Sequence, residues 1–198
     1  MTRVLILGGG GMLGHKVFQV LSQRFELYAT FQGFGGAWME YPVYQQVEHR
    51  RLYTGVNAID LDSVVRTFAK VKPDVVINCI GIIKQLRAAK DPVLSLQLNS
   101  LLPHRLAELC EATSTRLFHV STDCVFSGRR GNYTESDIPD PEDLYGRTKL
   151  LGEVDRSNCL TIRTSIIGRD FAKDHALLEW FLSQRGKRIK GYSRAIYT

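Results

Sequence analysis

Residues 4–16 read VLILGGGGMLGHK, and this stretch decides the fold. RVLILG (3–8) is an apolar run ending in glycine, as a buried parallel strand does. Leu13, Val17, Val20 and Leu21 then recur at helical spacing in residues 12–24. A strand passing through glycines into a helix is the setting in which free backbone N–H groups and the helix dipole receive a phosphate. Two registers fit at once. Gly9, Gly11 and Gly14 give G-x-G-x-x-G, whereas Gly8, Gly11 and Gly14 give G-x-x-G-x-x-G. The run taken alone is also compatible with a plain flexible turn, so the register must be decided from the rest of the chain.

Outward from this turn, strands and helices alternate. FELYAT (25–30), LYTGVNA (52–58), DVVINCIG (74–81), RLFHVST (116–122) and CLTIRTSIIG (159–168) read as strands. Residues 60–73 read as a helix with Asp60 or Asp62 as N-cap and Pro73 as its stop. Residues 92–113 read as a long helix bent at Pro103. Residues 145–156 and 175–185 are also helical, and 31–51 shows no clear period and reads as a loop. This order predicts an α/β, Rossmann-type doubly wound parallel sheet with helices on both faces.

Bulk properties agree with that class. The chain has 198 residues, 44% hydrophobic and 23% charged, enough for one sizeable core. No apolar run reaches the roughly 18 residues of a membrane span, and the start lacks the pattern of a secretory signal. The expected location is cytoplasmic, with no membrane partner. Cys79, Cys110, Cys124 and Cys159 lack C-x-x-C spacing, so they read as reduced thiols and no metal site is expected. The net charge is +6, and the Lys and Arg residues from Arg163 onward read either as a solvated face or as a contact for a phosphorylated substrate. No aromatic-interleaved basic stripe or helix-turn-helix pattern points to nucleic acid.

Two further motifs bear chemistry. Ser121, Thr122 and Asp123 end a strand, where α/β sheets bind ligands. Tyr145 and Lys149 follow at i and i+4, on one helix face about 6 Å apart. An ammonium there, with the positive nicotinamide ring of a bound dinucleotide, is expected to favour phenolate and shift the phenol toward working pH for acid–base chemistry. These motifs select the register Gly8, Gly11, Gly14, which makes Gly9 and Gly10 loop residues, useful for close approach but not diagnostic of the register. Gly11→Val is then expected to abolish cofactor binding and Gly9→Ala to be milder. The second strand ends in Thr30, Phe31 and Gln32, none acidic, which favours NADP over NAD while leaving NAD open. Arg50 and Arg51 are candidates for the compensating charge.

The ordered set G-x-x-G-x-x-G, NCIG, STDCVFSG, Y-x-x-x-K and IRTSIIG resembles an extended short-chain dehydrogenase/reductase. STDCVFSG with YGRTKLLGE resembles the dTDP-4-dehydrorhamnose reductase branch. The resemblance implies that Thr122 bonds the substrate carbonyl, Tyr145 donates the proton and Lys149 binds the nicotinamide ribose. It also implies cofactor contacts from Gly8, Gly11, Met12, Leu13, Gly14, Asp60, Leu61, Asn78, Cys79, Gly81, Asn99, Ser121 and Lys149. Cys124 stands where related dehydratases resemble S-T-D-E, with a Glu base, which disfavours water elimination. The implied activity is NADP(H)-dependent reduction of a nucleotide-linked 4-keto-6-deoxy sugar for polysaccharide precursors. A sugar-nucleotide epimerase and a non-catalytic NADP-binding regulatory subunit are the alternatives, and a homodimer is left open. Residues 1–170 form the expected NADP-binding domain with Thr122, Tyr145 and Lys149, and 171–198 the start of the substrate-binding region. Members of this branch run on past the equivalent of GYSRAIYT, so the chain is expected to be a fragment or a truncated product.

Overall fold

The strands β1 (Arg3–Leu7), β2 (Glu26–Thr30), β3 (Leu52–Tyr53), β4 (Val75–Asn78), β5 (Arg116–Val120) and β6 (Cys159–Ile162) form one sheet. They pair in parallel in the order β3-β2-β1-β4-β5-β6. The coordinates are a computed structural model that describes residues 1–84, 87–168 and 177–191. Connections from β1 run outward to β2 and β3, and from β4 outward to β5 and β6. The strand order therefore reverses between β1 and β4, the crevice where such sheets bind ligands.

Side-chain alternation divides β1 between two cores. Val4 and Ile6 pack with Phe18, Leu27 and Ala29 on one face. Leu5 and Leu7 pack with Val64, Phe68, Val76, Leu106 and Leu117 on the other. The helices α1 (Met12–Leu21) and α2 (Pro42–Gln45) contribute to the first core, and α3 (Leu61–Val71) and α5 (Leu102–Ala112) to the second. Asp60 is the N-cap of α3, its carboxylate accepting the Asp62 amide at 3.2 Å.

The long helix over 92–113 is built differently from its sequence reading. It runs as α4 (Pro92–Ser95), a π-helical stretch (Leu96–Leu101) and α5. Pro103 has no N–H to give an α-helical carbonyl. The wide turns before it pair Leu102 N–H with Gln97 O, so the helix widens ahead of the proline. Several elements are shorter than the periodicity predicts. The third strand is only Leu52–Tyr53, the sixth stops at Ile162, and α6 (Leu144–Leu151) stops at Gly152. The last described helix, α7 (Leu177–Ser183), lies within the predicted 175–185. Residues 175 and 176, Arg169, Lys173 and Arg194 of the basic stretch, and residues 192–198 of RIKGYSRAIYT (188–198), which reads as the start of a late strand, lie outside the described residues.

Residues 31–51 are not a bare loop. They hold a short 3-10 turn (Ala37–Glu40), α2 and a second 3-10 turn (His49–Arg51). Aromatic packing orders this segment. Phe31 stacks on Trp38 with centroids 3.8 Å apart, and Tyr44 meets Phe31 edge-on at 5.1 Å.

Candidate functional site

The glycine turn links β1 to α1 at the strand-order reversal. Gly8 takes φ +85, open to glycine without steric cost. A Cβ at Gly14 would collide with Gly8 O, so that glycine sets the approach of helix to turn. Gly11 is exposed and is the N-cap of α1; a Cβ there would meet only Gly8 O at 3.5 Å. No side chain caps α1 and its first turn carries no acidic residue. The turn therefore leads into a helix start whose first-turn N–H groups and positive dipole end fit a phosphate. Met12 and Leu13, in the first turn of α1, are partly exposed beside it.

Gly9 is a place of close approach. It is buried, and a Cβ there would lie 2.9 Å from Ala29 Cβ and 3.1 Å from both Phe31 Cζ and the Tyr44 hydroxyl oxygen. Tyr44 O–H donates to Gly9 O at 2.8 Å. The turn also hangs on the end of β2, since Gly8 N–H donates to Thr30 Oγ1 at 3.2 Å and Gly9 N–H to Thr30 O at 2.9 Å. Arg50 and Arg51 both pair with Glu48, and Arg51 lines a cavity beside Phe25 and Leu27 rather than the turn.

At β5 the chain leaves the sheet through Ser121 and Thr122. Thr122 is buried, and its Oγ1 accepts the Cys124 amide and donates to Asp123 Oδ1, both at 3.2 Å. The Thr122 hydroxyl acts on the Tyr145 phenol, favouring its charged form. Lys149 is 4% exposed and donates to Val120 O at 2.7 Å. Thr122, Tyr145 and Lys149 thus converge at the carboxyl end of β5. Burial pulls the Lys149 ammonium down to about 8, against the pull of Glu153 and Cys79. Burial pushes the Tyr145 phenol above its ordinary value, with Thr122 acting in the opposite direction. The chain's own groups thus keep Tyr145 a protonated phenol; the expected downward shift also calls on the positive nicotinamide ring.

The segment after β4 is held from behind. Asn99, 1% exposed and in the π-helical stretch, accepts the Ile82 amide at 2.8 Å and donates to Ile82 O at 3.1 Å. It also donates to Thr148 Oγ1 at 3.3 Å, which ties the segment to α6. A Cβ at Gly81 would lie 3.2 Å from Asn99 Oδ1 and 3.9 Å from Lys149 Nζ. Asn78 is fully buried. Its Oδ1 accepts the Ile80 amide at 3.1 Å, and its amide nitrogen faces His119 Nδ1 at 3.1 Å. Its side chain supports the crevice backbone rather than facing outward. Burial pushes the Cys79 thiol up to about 12, so it stays neutral.

Ser121 and Asp60 carry structural bonds of their own. Ser121 donates to Glu153 Oε1 at 2.7 Å, and Asp60 adds a contact to Arg66 at 3.6 Å to its cap role. Leu61 is partly buried at the start of α3. Lys84 Nζ approaches Cys124 Sγ at 3.9 Å. Sequence reasoning passed over Glu153 and read Arg163 only as part of the basic stretch; the two form a two-pronged ion pair at 2.8 and 2.7 Å. The i+4 spacing from Lys149 to Glu153 was the available signal.

The strand order, the glycine turn and the Thr122–Tyr145–Lys149 convergence define an extended short-chain dehydrogenase/reductase fold. Within that class the chain belongs to the RmlD substrate binding domain family, which matches residues 1–181. Methionine adenosyltransferase 2 subunit beta of Rattus norvegicus is 34% identical over 151 residues, 76% of this chain and 41% of the relative. The probable low-salt glycan biosynthesis reductase Agl14 of Haloferax volcanii is 30% identical over 149 residues, 75% of this chain and 46% of the relative. The chain thus spans less than half the length of these curated relatives. A hypothetical dTDP-4-dehydrorhamnose reductase from Sulfolobus tokodaii superposes with TM-score 0.71 at 29% identity, covering 85% of this chain and 57% of that one. Other solved structures of the fold hold NADP or NAD, at 21 to 22% identity and TM-scores of 0.63 to 0.65. Among the described residues no helix is long and apolar enough to cross a membrane.

Proposed function

We propose that this chain carries the cofactor-binding and catalytic part of an NADP(H)-dependent reductase acting on a nucleotide-linked 4-keto-6-deoxy sugar, in polysaccharide precursor synthesis. The observation that carries the reading is the convergence of Thr122, Tyr145 and Lys149 at the end of β5, across the strand-order reversal from an uncapped glycine turn. Residues 1–170 would bind the cofactor, and 171–198 would begin the substrate-binding region.

Gly8, Gly11, Met12, Leu13 and Gly14 would receive the pyrophosphate. Asp60 and Leu61 would lie toward adenine. Cys79, Gly81 and Ser121 would line the nicotinamide end, with Asn78 and Asn99 bracing that wall. NADP is preferred because Thr30, Phe31 and Gln32 bring no carboxylate to a 2′-phosphate. When bound, the nicotinamide supplies the hydride. Thr122 would hydrogen-bond the substrate carbonyl as its oxygen gains charge. Tyr145, kept protonated by burial, would give its proton to that oxygen, and Lys149 would stabilise the phenolate left behind.

A second reading, a non-catalytic subunit, is favoured by the sequence relation to a protein named as a subunit of another enzyme, methionine adenosyltransferase 2 subunit beta. There the chain would bind NADP without turnover. Titration with NADPH and NADH by intrinsic fluorescence, followed by an NADPH-oxidation assay with dTDP-linked 4-keto-6-deoxy sugars, separates the two. Turnover supports the reductase, and cofactor binding without turnover supports the regulatory subunit.

A further inference from the structure

Between Val125 and Leu144 the chain makes no helix or strand, yet it walls a cavity of about 390 Å³ beside the reacting residues. Cys124, Phe126, Tyr133 and Arg163 line it. The Phe126 and Tyr133 rings stack with centroids 4.4 Å apart and planes 10° from parallel. The Arg163 guanidinium lies 5.1 Å from the Phe126 centroid, and that of Arg130 lies 5.1 Å from the Tyr133 centroid. Each ring covers one face of the other, so the guanidinium groups take the outer faces. The stack runs Arg163, Phe126, Tyr133, Arg130.

Arg163 is also fastened inward. Its fork grips Glu153 at 2.8 and 2.7 Å, and the same carboxylate accepts the Ser121 hydroxyl at 2.7 Å. The side chains of this pair are 24% and 15% exposed, so it is better shielded than the surface pairs that contribute almost nothing. Ser121 N–H donates to Ile162 O at 2.7 Å, locking β5 to β6 at the same level. At the far end Arg130 pairs with Asp137 at 2.5 Å. Asp140 closes the loop by accepting Ser127 N–H and O–H at 2.8 and 2.6 Å.

We infer that Arg163 is a positioning residue: it fastens the Phe126–Tyr133 wall of the cavity to the strand end carrying Ser121 and Thr122, so that wall and hydroxyl hold one geometry. Arginine suits this task because one planar group can fork a carboxylate and lie on a ring. A plain surface aromatic pair would need neither the half-buried carboxylate nor the serine. The inference rests on the reading of Thr122 and Tyr145 as the groups that meet substrate.

The test has two arms. In the first, amide hydrogen exchange is measured on the 198-residue chain. Arg163→Lys keeps the charge but loses the fork and the plane. Phe126→Leu removes the ring, and Phe126→Tyr keeps it. Arg163→Lys and Phe126→Leu should each speed exchange about tenfold in both 121–124 and 126–134, while Phe126→Tyr stays at the parent rate. Acceleration by Phe126→Leu confined to 126–134 would overturn the inference. In the second arm, with NADPH and a dTDP-linked 4-keto-6-deoxy sugar as probes, Arg163→Lys should raise the sugar-nucleotide KM about tenfold with the NADPH KM at the parent value. An equal rise in both would overturn it. A parent chain without turnover defeats the reductase reading alone, and the exchange arm then decides the inference.

Discussion

Lys149 Nζ donates to Val120 O at 2.7 Å, so the buried ammonium is pinned to the strand that presents Thr122. Burial holds its pKa down to about 8. Reduction needs that charge beside Tyr145, so kcat/KM should be level below pH 8 and fall above it as the proton is lost. Lys149→Arg, which titrates far higher, should remove the alkaline fall while lowering the plateau. A pH–rate profile in the reductive direction checks this.

Asn99 holds Ile82 by both backbone groups, at 2.8 and 3.1 Å. Asn99→Ala would strand a buried N–H and a buried C=O. A loss of about 1–3 kcal/mol in unfolding free energy is expected, together with looser cofactor binding. Urea denaturation and NADPH titration on the same variant check both.

Gly9 and Gly11 should separate by readout. Gly9→Ala drives a methyl into Ala29, Phe31 and Tyr44 and should cost about 1–3 kcal/mol of stability. Gly11→Ala meets only ordinary contact, so the fold should keep its stability while NADPH binds more weakly. Thermal melts with and without NADPH distinguish them.

His119 is fully buried, with Asn78 holding its Nδ1 at 3.1 Å. Desolvation first, then the charges of Lys149 and His104, push its pKa down to about 3. The unfolded imidazole takes a proton near pH 6.5 and the folded one does not. The unfolded state therefore binds more protons below pH 6.5, and stability falls as pH drops. From pH 6.5 to 5 this one group should cost about 2 kcal/mol. His119→Gln should flatten the dependence of Tm on pH in that window.

The sheet was legible because buried parallel strands write themselves as apolar runs such as VLILG and DVVINCIG. Thr122, Tyr145 and Lys149 were legible because strand end and i,i+4 spacing are local signals. The order within 31–51 was not, since it comes from Phe31, Trp38 and Tyr44 packing on one another across separated positions. What crowds Gly9 was hidden for the same reason: its neighbours come from the end of β2 and from α2. Spacing shows Lys149 one turn from Tyr145 but not the burial that raises the phenol. The Arg163–Glu153–Ser121 link joins three segments that no period connects.

The most direct measurement is a single-turnover comparison of Tyr145→Phe with the parent chain, using NADPH and a dTDP-linked 4-keto-6-deoxy sugar. The phenol hydroxyl is the only atom removed. Hydride transfer should slow by about 10²-fold or more while the NADPH Kd stays at the parent value. Near-parent rates in the variant would contradict Tyr145 as the proton donor, and with it the reading of this site as a reductase centre.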